Sequence, residues 1–110
     1  MIITARQSGG VTILDLNGTL TVNNSGKLPT AVWDHLNNGG RNILLNMAKV
    51  SQYDSIALNE LLACFERTKQ KGGKLKLCNR TNAMSLVLAS QLRQIMEIFA
   101  NESEALASVW

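Results

Sequence analysis

The sequence predicts an α/β fold with a mixed sheet of four to five strands and about four helices. Two Gly-Gly pairs, Gly39-Gly40 and Gly72-Gly73, occur in the same context. Each pair follows a segment with helical periodicity and precedes a basic residue and an apolar, strand-like run. This repetition is typical of successive strand–helix–strand units, whose strands run mainly parallel. A third pair, Gly9-Gly10, joins two strand-like segments in a tight turn. The first strand should therefore run antiparallel to the second.

Size and composition favour one domain over residues 1–110. The hydrophobic fraction of 45% and the charged fraction of 17% favour a packed core over disorder. No run is long and apolar enough to cross a bilayer, and the N-terminus lacks the pattern of a signal peptide. We therefore expect a cytoplasmic protein that is not embedded in a membrane.

Short apolar runs define the strands. The first two strands are predicted over residues 2–7 and 11–16, and residues 19–24 are predicted to form a loop. Apolar residues on both faces of the second strand favour a central place in the sheet. Residues 42–47 form a continuously apolar run, and residues 74–78 alternate between basic and apolar side chains. Both are predicted to be strands.

Capping residues and periodic leucines define two helices. Asn24 or Ser25 can cap a helix that runs to about Asn38, and a second helix is predicted from about Ser55 to Lys71. The spacing i, i+3, i+4, i+7 marks a buried helical face. This spacing predicts that the buried side chains of the first helix are Leu28, Val32 and Leu36, and those of the second Leu58, Leu61, Leu62 and Phe65.

The last third of the chain is predicted to add two helices around a short strand or turn. Thr81 can cap a third helix, and residues 95–99 form the apolar segment that follows. Asn101 opens a final helix whose first turn is rich in glutamate, as the helix dipole favours. Trp110 is predicted to anchor the chain end by packing. The inner face of the third helix comprises Met84, Val87, Leu88 and Leu92.

The side chains that often carry chemistry are sparse in this sequence. His35 is the single histidine, and it lies in a helix that packing explains, so a hydrogen-bonded structural role is expected. Cys64 and Cys78 lack the spacing of a metal site and are expected to be reduced and partly buried. No HExxH, GxSxG or Walker pattern occurs, and both later Gly-Gly pairs end helices. We therefore expect no enzyme activity, no cofactor and no metal site.

Five cations cluster in sequence around the end of the second helix and the following strand. A nucleic-acid surface would be denser in charge and interleaved with aromatic residues. Lysines near a helix end also complement the helix dipole. We expect a solvated cationic edge and no direct binding of DNA. The five residues are Lys69, Lys71, Lys74, Lys76 and Arg80.

The segment from residue 50 to 58 ends a strand and opens the strongest predicted helix. Asp54 and Ser55 are both common N-cap residues. Ser55 should therefore lie at a helix N-terminus near the surface, with a carboxylate beside it. A serine in this position is common and needs no function, but its hydroxyl is also a candidate phosphorylation switch.

Four segments together resemble the STAS domain, the family of bacterial anti-sigma factor antagonists. Residues 11–18 resemble the second strand and closing glycine of the family, and residues 50–58 are similar to its Asp-Ser-Ser-Gly-Leu segment. Residues 71–75 resemble the basic Gly-Gly turn into the next strand. Residues 99–107 resemble the final strand and the glutamate-rich start of the last helix. The resemblance extends over essentially the whole chain.

The resemblance implies a STAS-like mixed sheet and a regulatory function by partner switching. In the family, the unmodified antagonist binds an anti-sigma factor that is itself a serine kinase. Phosphorylation by that kinase releases the antagonist, and a serine phosphatase resets it. By this resemblance Ser55 is the phosphate acceptor, and the binding surface for the anti-sigma factor comprises Asp54, Ser55, Ile56 and Asn59.

The sequence departs from the family pattern at Gln91, where the family has Ser-Gly-Leu, and at two positions beside Ser55 that leave other functions open. Ile56 and Ala57 stand where the family has Ser or Thr and then Gly. A bulkier first turn could alter how a kinase approaches the hydroxyl. Scaffold proteins of the stressosome depart from the pattern at the same place, so such a scaffold is one alternative. A STAS subunit of a membrane lipid-transport ATPase is another.

Overall fold

The computed structural model describes residues 1–110 and contains five strands and four α-helices. A short 3-10 helix, Val22–Asn24, follows the second strand. The elements in chain order are β1 (Ile2–Ser8), β2 (Val11–Leu20), α1 (Lys27–Asn37), β3 (Asn42–Tyr53), α2 (Ile56–Gln70), β4 (Lys74–Cys78), α3 (Leu86–Arg93), β5 (Ile98–Phe99) and α4 (Glu102–Ala107).

The strands form one sheet in the order β1-β2-β3-β4-β5. β1 pairs antiparallel with β2, and the other three pairs are parallel. The predicted fold class is therefore confirmed. Apolar side chains lie on both faces of the sheet, so both faces are partly covered by helices.

The core has two parts, one on each face of the sheet. The larger cluster of 19 buried residues joins the strands to α1, α2 and α3. The smaller cluster of five lies under α4 and includes Ile13, Leu44 and Ala105. The α4 helix is therefore the only one that packs on the second face, and part of that face stays open around Asp15 and Lys49.

Both β2 and β3 are longer than their predicted ranges, 11–16 and 42–47. They stay paired as far as Leu20–Tyr53, so part of the predicted loop 19–24 is strand. The pairing shifts register twice near residues 15–19, and these shifts let the strands stay paired across the turn-like sequence Asn17-Gly18. Cross-strand pairing thus overrides the local turn signal.

Two helices begin later than predicted. α1 begins after Gly26, because the Asn24 side chain is already bonded to the N-terminal ammonium and to Thr19. α3 begins after Ser85, whose hydroxyl accepts a hydrogen bond from Leu88 N–H, while Thr81 closes a tight turn upstream. The predicted Asn101 cap of α4 is confirmed by a hydrogen bond from Glu104 N–H.

The buried face of α2 is rotated from its predicted position. Its fully buried residues are Ala57, Leu61, Cys64 and Thr68. The predicted Leu58, Leu62 and Phe65 are half-buried. Smaller side chains bring the helix close to the sheet, and the larger ones flank the contact.

The inner face of α3 is likewise only partly as predicted. Leu92 is buried and Leu88 half-buried, whereas Met84 is buried ahead of the helix. Val87 is 70% exposed, contrary to its predicted inner position. Ala89 and Leu92 form the buried face of α3, and Val87 lies away from it.

The histidine and the cysteines occupy structural positions. His35 packs against Gly40, and its Nε2 is buried without a hydrogen-bond partner, so the expected hydrogen-bonded state is wrong. Burial lowers the pKa of His35. Cys64 and Cys78 are free thiols as expected, but they are fully rather than partly buried.

Lys76 departs from the expectation of a solvated cationic edge. It is only 3% exposed and lies under α4. Its Nζ donates to Ser108 Oγ and to the Val109 carbonyl, and stands 4.6 Å from the centre of the Trp110 ring. Trp110 also donates to the Ala105 carbonyl, which confirms its predicted packing role.

Candidate functional site

The candidate site is the junction between the end of β3 and the start of α2. Asp54 follows β3 directly, and its side chain connects three segments. Its Oδ1 accepts a hydrogen bond from Ile56 N–H at 3.0 Å, and its Oδ2 accepts one from Val22 N–H at 2.8 Å. The backbone N–H of Asp54 donates to Leu20. Asp54 therefore holds the first turn of α2 against the end of β2.

Ser55 is the last residue before α2 and is exposed. Its backbone already has helical angles, with φ of −61° and ψ of −20°, and its side chain makes no capping hydrogen bond. Asp54, rather than Ser55, supplies the side-chain acceptor for the helix start. The Ser55 hydroxyl is therefore not used to cap the helix.

The other predicted site residues lie in the first turn of α2. Asn59 is exposed and stands four positions after Ser55, so the two residues share one side of the helix. Ile56 is half-buried, whereas Ala57 is fully buried in the core. Of the two departures directly after Ser55, only Ile56 can alter the surface.

A shallow groove of about 300 Å³ lies beside Ser55, between the start of α2 and α3. Leu58 and Leu88 are half-buried there, and Val87 is largely exposed. Val22, whose backbone N–H donates to Asp54, opens the 3-10 helix after β2 and is 64% exposed. The serine therefore stands among apolar side chains that a docking protein could cover.

Sequence reasoning missed two of these apolar neighbours. Val22 lies in a segment that was expected to be a loop, and Val87 was assigned to the inner face of its helix. Neither is close to Ser55 in sequence. The β2–β3 pairing and the position of α3 bring them to the site, so no local pattern could have identified them.

A half-buried tyrosine, Tyr53, lines the same groove. Burial raises the pKa of Tyr53 to about 12, and the nearby positive charge of Arg80 opposes that rise. Tyr53 Oη and Arg80 Nε are both buried and lack a hydrogen-bond partner. The phenol therefore stays protonated at neutral pH.

Two further structural observations bear on the class of protein. No group of three or more histidine, cysteine, aspartate or glutamate residues is placed to hold a metal ion. None of the helices combines the length and the apolar character needed to span a bilayer.

The fold and this junction define a STAS domain, and the model of that family matches residues 3–105. The chain belongs to the STAS domain family. No curated protein sequence matches the chain. Among solved structures, a Thermotoga maritima protein provisionally assigned as an anti-sigma factor antagonist is 26% identical, with a TM-score of 0.85. That match covers 94% of this chain and 91% of the other.

Two more distant structures share the fold. An anti-sigma factor antagonist from Mycobacterium paratuberculosis is 16% identical, with a TM-score of 0.83, and the match covers 96% of this chain and 90% of that one. The phosphorylated form of the Bacillus cell fate determinant SpoIIAA is 18% identical, with a TM-score of 0.71. That match covers 96% of each chain.

Proposed function

We propose that the protein is an anti-sigma factor antagonist that acts by partner switching. Unmodified, it binds an anti-sigma factor with serine kinase activity through Asp54, Ser55, Ile56 and Asn59. Phosphorylation of Ser55 by that kinase ends the complex, and a serine phosphatase restores it. The protein acts by binding rather than by catalysis, in the cytoplasm, and regulates transcription without touching DNA.

This proposal rests on the hydroxyl of Ser55, which is exposed and does not cap the helix. Asp54 satisfies the Ile56 N–H at the start of α2, so the serine can accept a phosphate without loss of that cap. A phosphate adds about −1.5 to −2 charges at neutral pH. A helix N-terminus favours an anion by roughly 0.3–1 kcal/mol, which the Asp54 carboxylate partly opposes. The fold should therefore survive the modification.

A docked protein would tolerate the phosphate far less well. The exposed Val87 lines the groove beside the serine, and the exposed Val22 is bonded to the adjacent Asp54. A protein that covers this surface also removes water from the Ser55 side chain. A charged group that loses its water without gaining a charged neighbour weakens binding. A penalty of about 3 kcal/mol corresponds to roughly a hundredfold loss of affinity.

Calorimetric titration against an anti-sigma factor kinase of the same organism tests the proposal. Ser55→Ala should bind like the native protein and fail to accept phosphate from ATP. Ser55→Asp should keep the fold and weaken binding by about tenfold to a hundredfold. Ser103→Asp is the matched control, because Ser103 is also an exposed serine in the first turn of a helix, α4, on the other face of the sheet.

Equal affinity of the Ser55→Asp and Ser55→Ala variants would contradict the switch. Phosphate mapped by mass spectrometry to a residue other than Ser55 would also contradict it. An equal loss of affinity in Ser103→Asp would mean that added charge, and not its place, weakens the complex.

A stressosome scaffold is the second candidate, and Ile56 is the observation that favours it. The half-buried isoleucine stands directly after Ser55 and adds bulk where a kinase would approach the hydroxyl. Size-exclusion chromatography with light scattering separates the two functions. A large assembly favours the scaffold, whereas a monomer or dimer favours the antagonist.

A further inference from the structure

A second cavity lies away from Ser55. It has a volume of about 690 Å³ and lies between the second half of α2, the start of β4 and the segment that joins α3 to β5. This volume is within the usual range of small-molecule sites. The cavity shares no lining residue with the groove beside Ser55.

The short β5 strand explains why this cavity exists. β5 pairs only with Leu77 and Cys78, so the first three residues of β4 have no strand beside them on this side. The missing part of the strand leaves a depression along the sheet edge. Six apolar side chains form its walls and floor, namely Phe65, Leu75, Ile95, Met96, Ile98 and Phe99.

Three cations surround this apolar floor without a neutralising carboxylate. Lys69, Lys74 and Arg93 are exposed, and none of them forms an ion pair. The only carboxylate of the lining is Glu97, whose Oε1 lies 3.4 Å from Lys76 Nζ. The lining contains four cations and one carboxylate, so the cavity carries a net positive charge.

We propose that this cavity binds a fatty-acid-class amphiphile, with one anionic head group and a hydrocarbon tail. The tail lies on the apolar floor, where each buried methylene improves affinity by about fourfold. The carboxylate lies among the unpaired cations at the rim. This site is independent of the proposed switch at Ser55.

The lining favours this ligand over a nucleotide. Gln94 is its only neutral polar side chain, so a base and a sugar with several hydrogen-bonding groups would find few partners. A ligand whose polar groups are buried without partners binds poorly. A single anionic group combined with an apolar tail matches both the charge and the surface of the cavity.

Titration of the isotope-labelled full chain with decanoate, followed by NMR below the micellar concentration, tests the proposal. Saturable shift changes should be confined to the cavity lining. Octanoate, two methylenes shorter, should bind roughly fifteenfold more weakly. Decanol, which has the same tail and no charge, should bind several-fold more weakly than decanoate.

Variants that each remove one positive charge distinguish the contribution of the cations at the rim of the cavity from that of its apolar floor. Arg93→Gln and Lys69→Gln should each weaken decanoate binding by about threefold to fivefold and leave decanol binding unchanged. Lys49→Gln removes an exposed lysine outside the cavity and should change neither. Shift changes spread over the whole protein, equal binding of decanol and decanoate, or unchanged binding in the rim variants would each overturn the proposal. Tighter binding of ATP at the same residues would do so as well.

Discussion

The Asp54 carboxylate accepts a hydrogen bond from the backbone N–H of Val22, 32 positions earlier in the chain, at 2.8 Å. The same carboxylate accepts the N–H of Ile56 at the start of α2. One side chain thus joins the end of β2 to the helix that follows β3. The exposed Ser55 hydroxyl is held next to this connection, so its position depends on Asp54 rather than on its own hydrogen bonds.

Replacing Asp54 should loosen this junction. Asp54→Ala removes both acceptors and should lower the free energy of unfolding by about 1–2 kcal/mol, the usual cost of losing a helix cap. Urea unfolding followed by circular dichroism measures the change. Asp34→Ala, at an exposed position in α1, is the control and should stay within about 0.5 kcal/mol of the native protein. If both variants unfold alike, the junction does not stabilise the fold.

Replacing Lys76 should release the chain end. Lys76→Met keeps most of the side-chain length but leaves the Val109 carbonyl without its donor and removes the charge above Trp110. We expect a loss of about 1–3 kcal/mol and a red shift of Trp110 emission, measured in a Trp33→Phe background. Lys74→Met, at an exposed lysine on the same strand, should change neither quantity. Unchanged Trp110 emission in Lys76→Met would contradict the anchoring role.

The second glycine of the Gly72-Gly73 pair should be intolerant of any side chain. A Cβ at Gly73 would stand 1.6 Å from the Arg41 carbonyl oxygen, a backbone atom that also accepts the Lys74 N–H. Gly73→Ala should therefore cost about 3 kcal/mol or more, or prevent folding. Gly10→Ala meets no atom within 4 Å and should be nearly neutral. Thermal melting of the two variants side by side tests the contrast, and similar melting temperatures would refute it.

Stability should fall as the pH rises above 9. Burial raises the pKa of Cys64 and of Cys78 from 9.0 to about 12, and nearby carboxylates add to the rise. Between these values the unfolded chain loses protons that the folded protein keeps. The unfolded state then binds fewer protons, so unfolding becomes easier as the pH increases.

Urea unfolding at about pH 8 and about pH 10.5 measures this loss. The double variant Cys64→Ala and Cys78→Ala should lose less stability between the two pH values, because it lacks both thiols. The half-buried Tyr53, whose pKa is also raised, remains in both proteins and contributes equally. An identical loss in both proteins would exclude the thiols as its cause.

Local patterns predicted the elements well because each depends on neighbouring residues. The Gly-Gly pairs, the leucine spacing and the Asn101 cap all act within a few positions, and each corresponds to an observed turn, helix or cap. Ser55 at the start of a helix was predicted for the same reason. Its surrounding surface was not, because Val22 and Val87 reach it through pairing and packing across 30 or more positions.

By itself the sequence determined the order of strands and helices, the antiparallel first pair, and a serine at the opening of α2. Only the tertiary structure decided the full length of β2 and β3, the burial of Lys76 and the bond from Val22 to Asp54. Periodicity and capping are local properties of the chain. Register between distant strands and the neutralisation of a buried charge depend on atoms that only folding brings together.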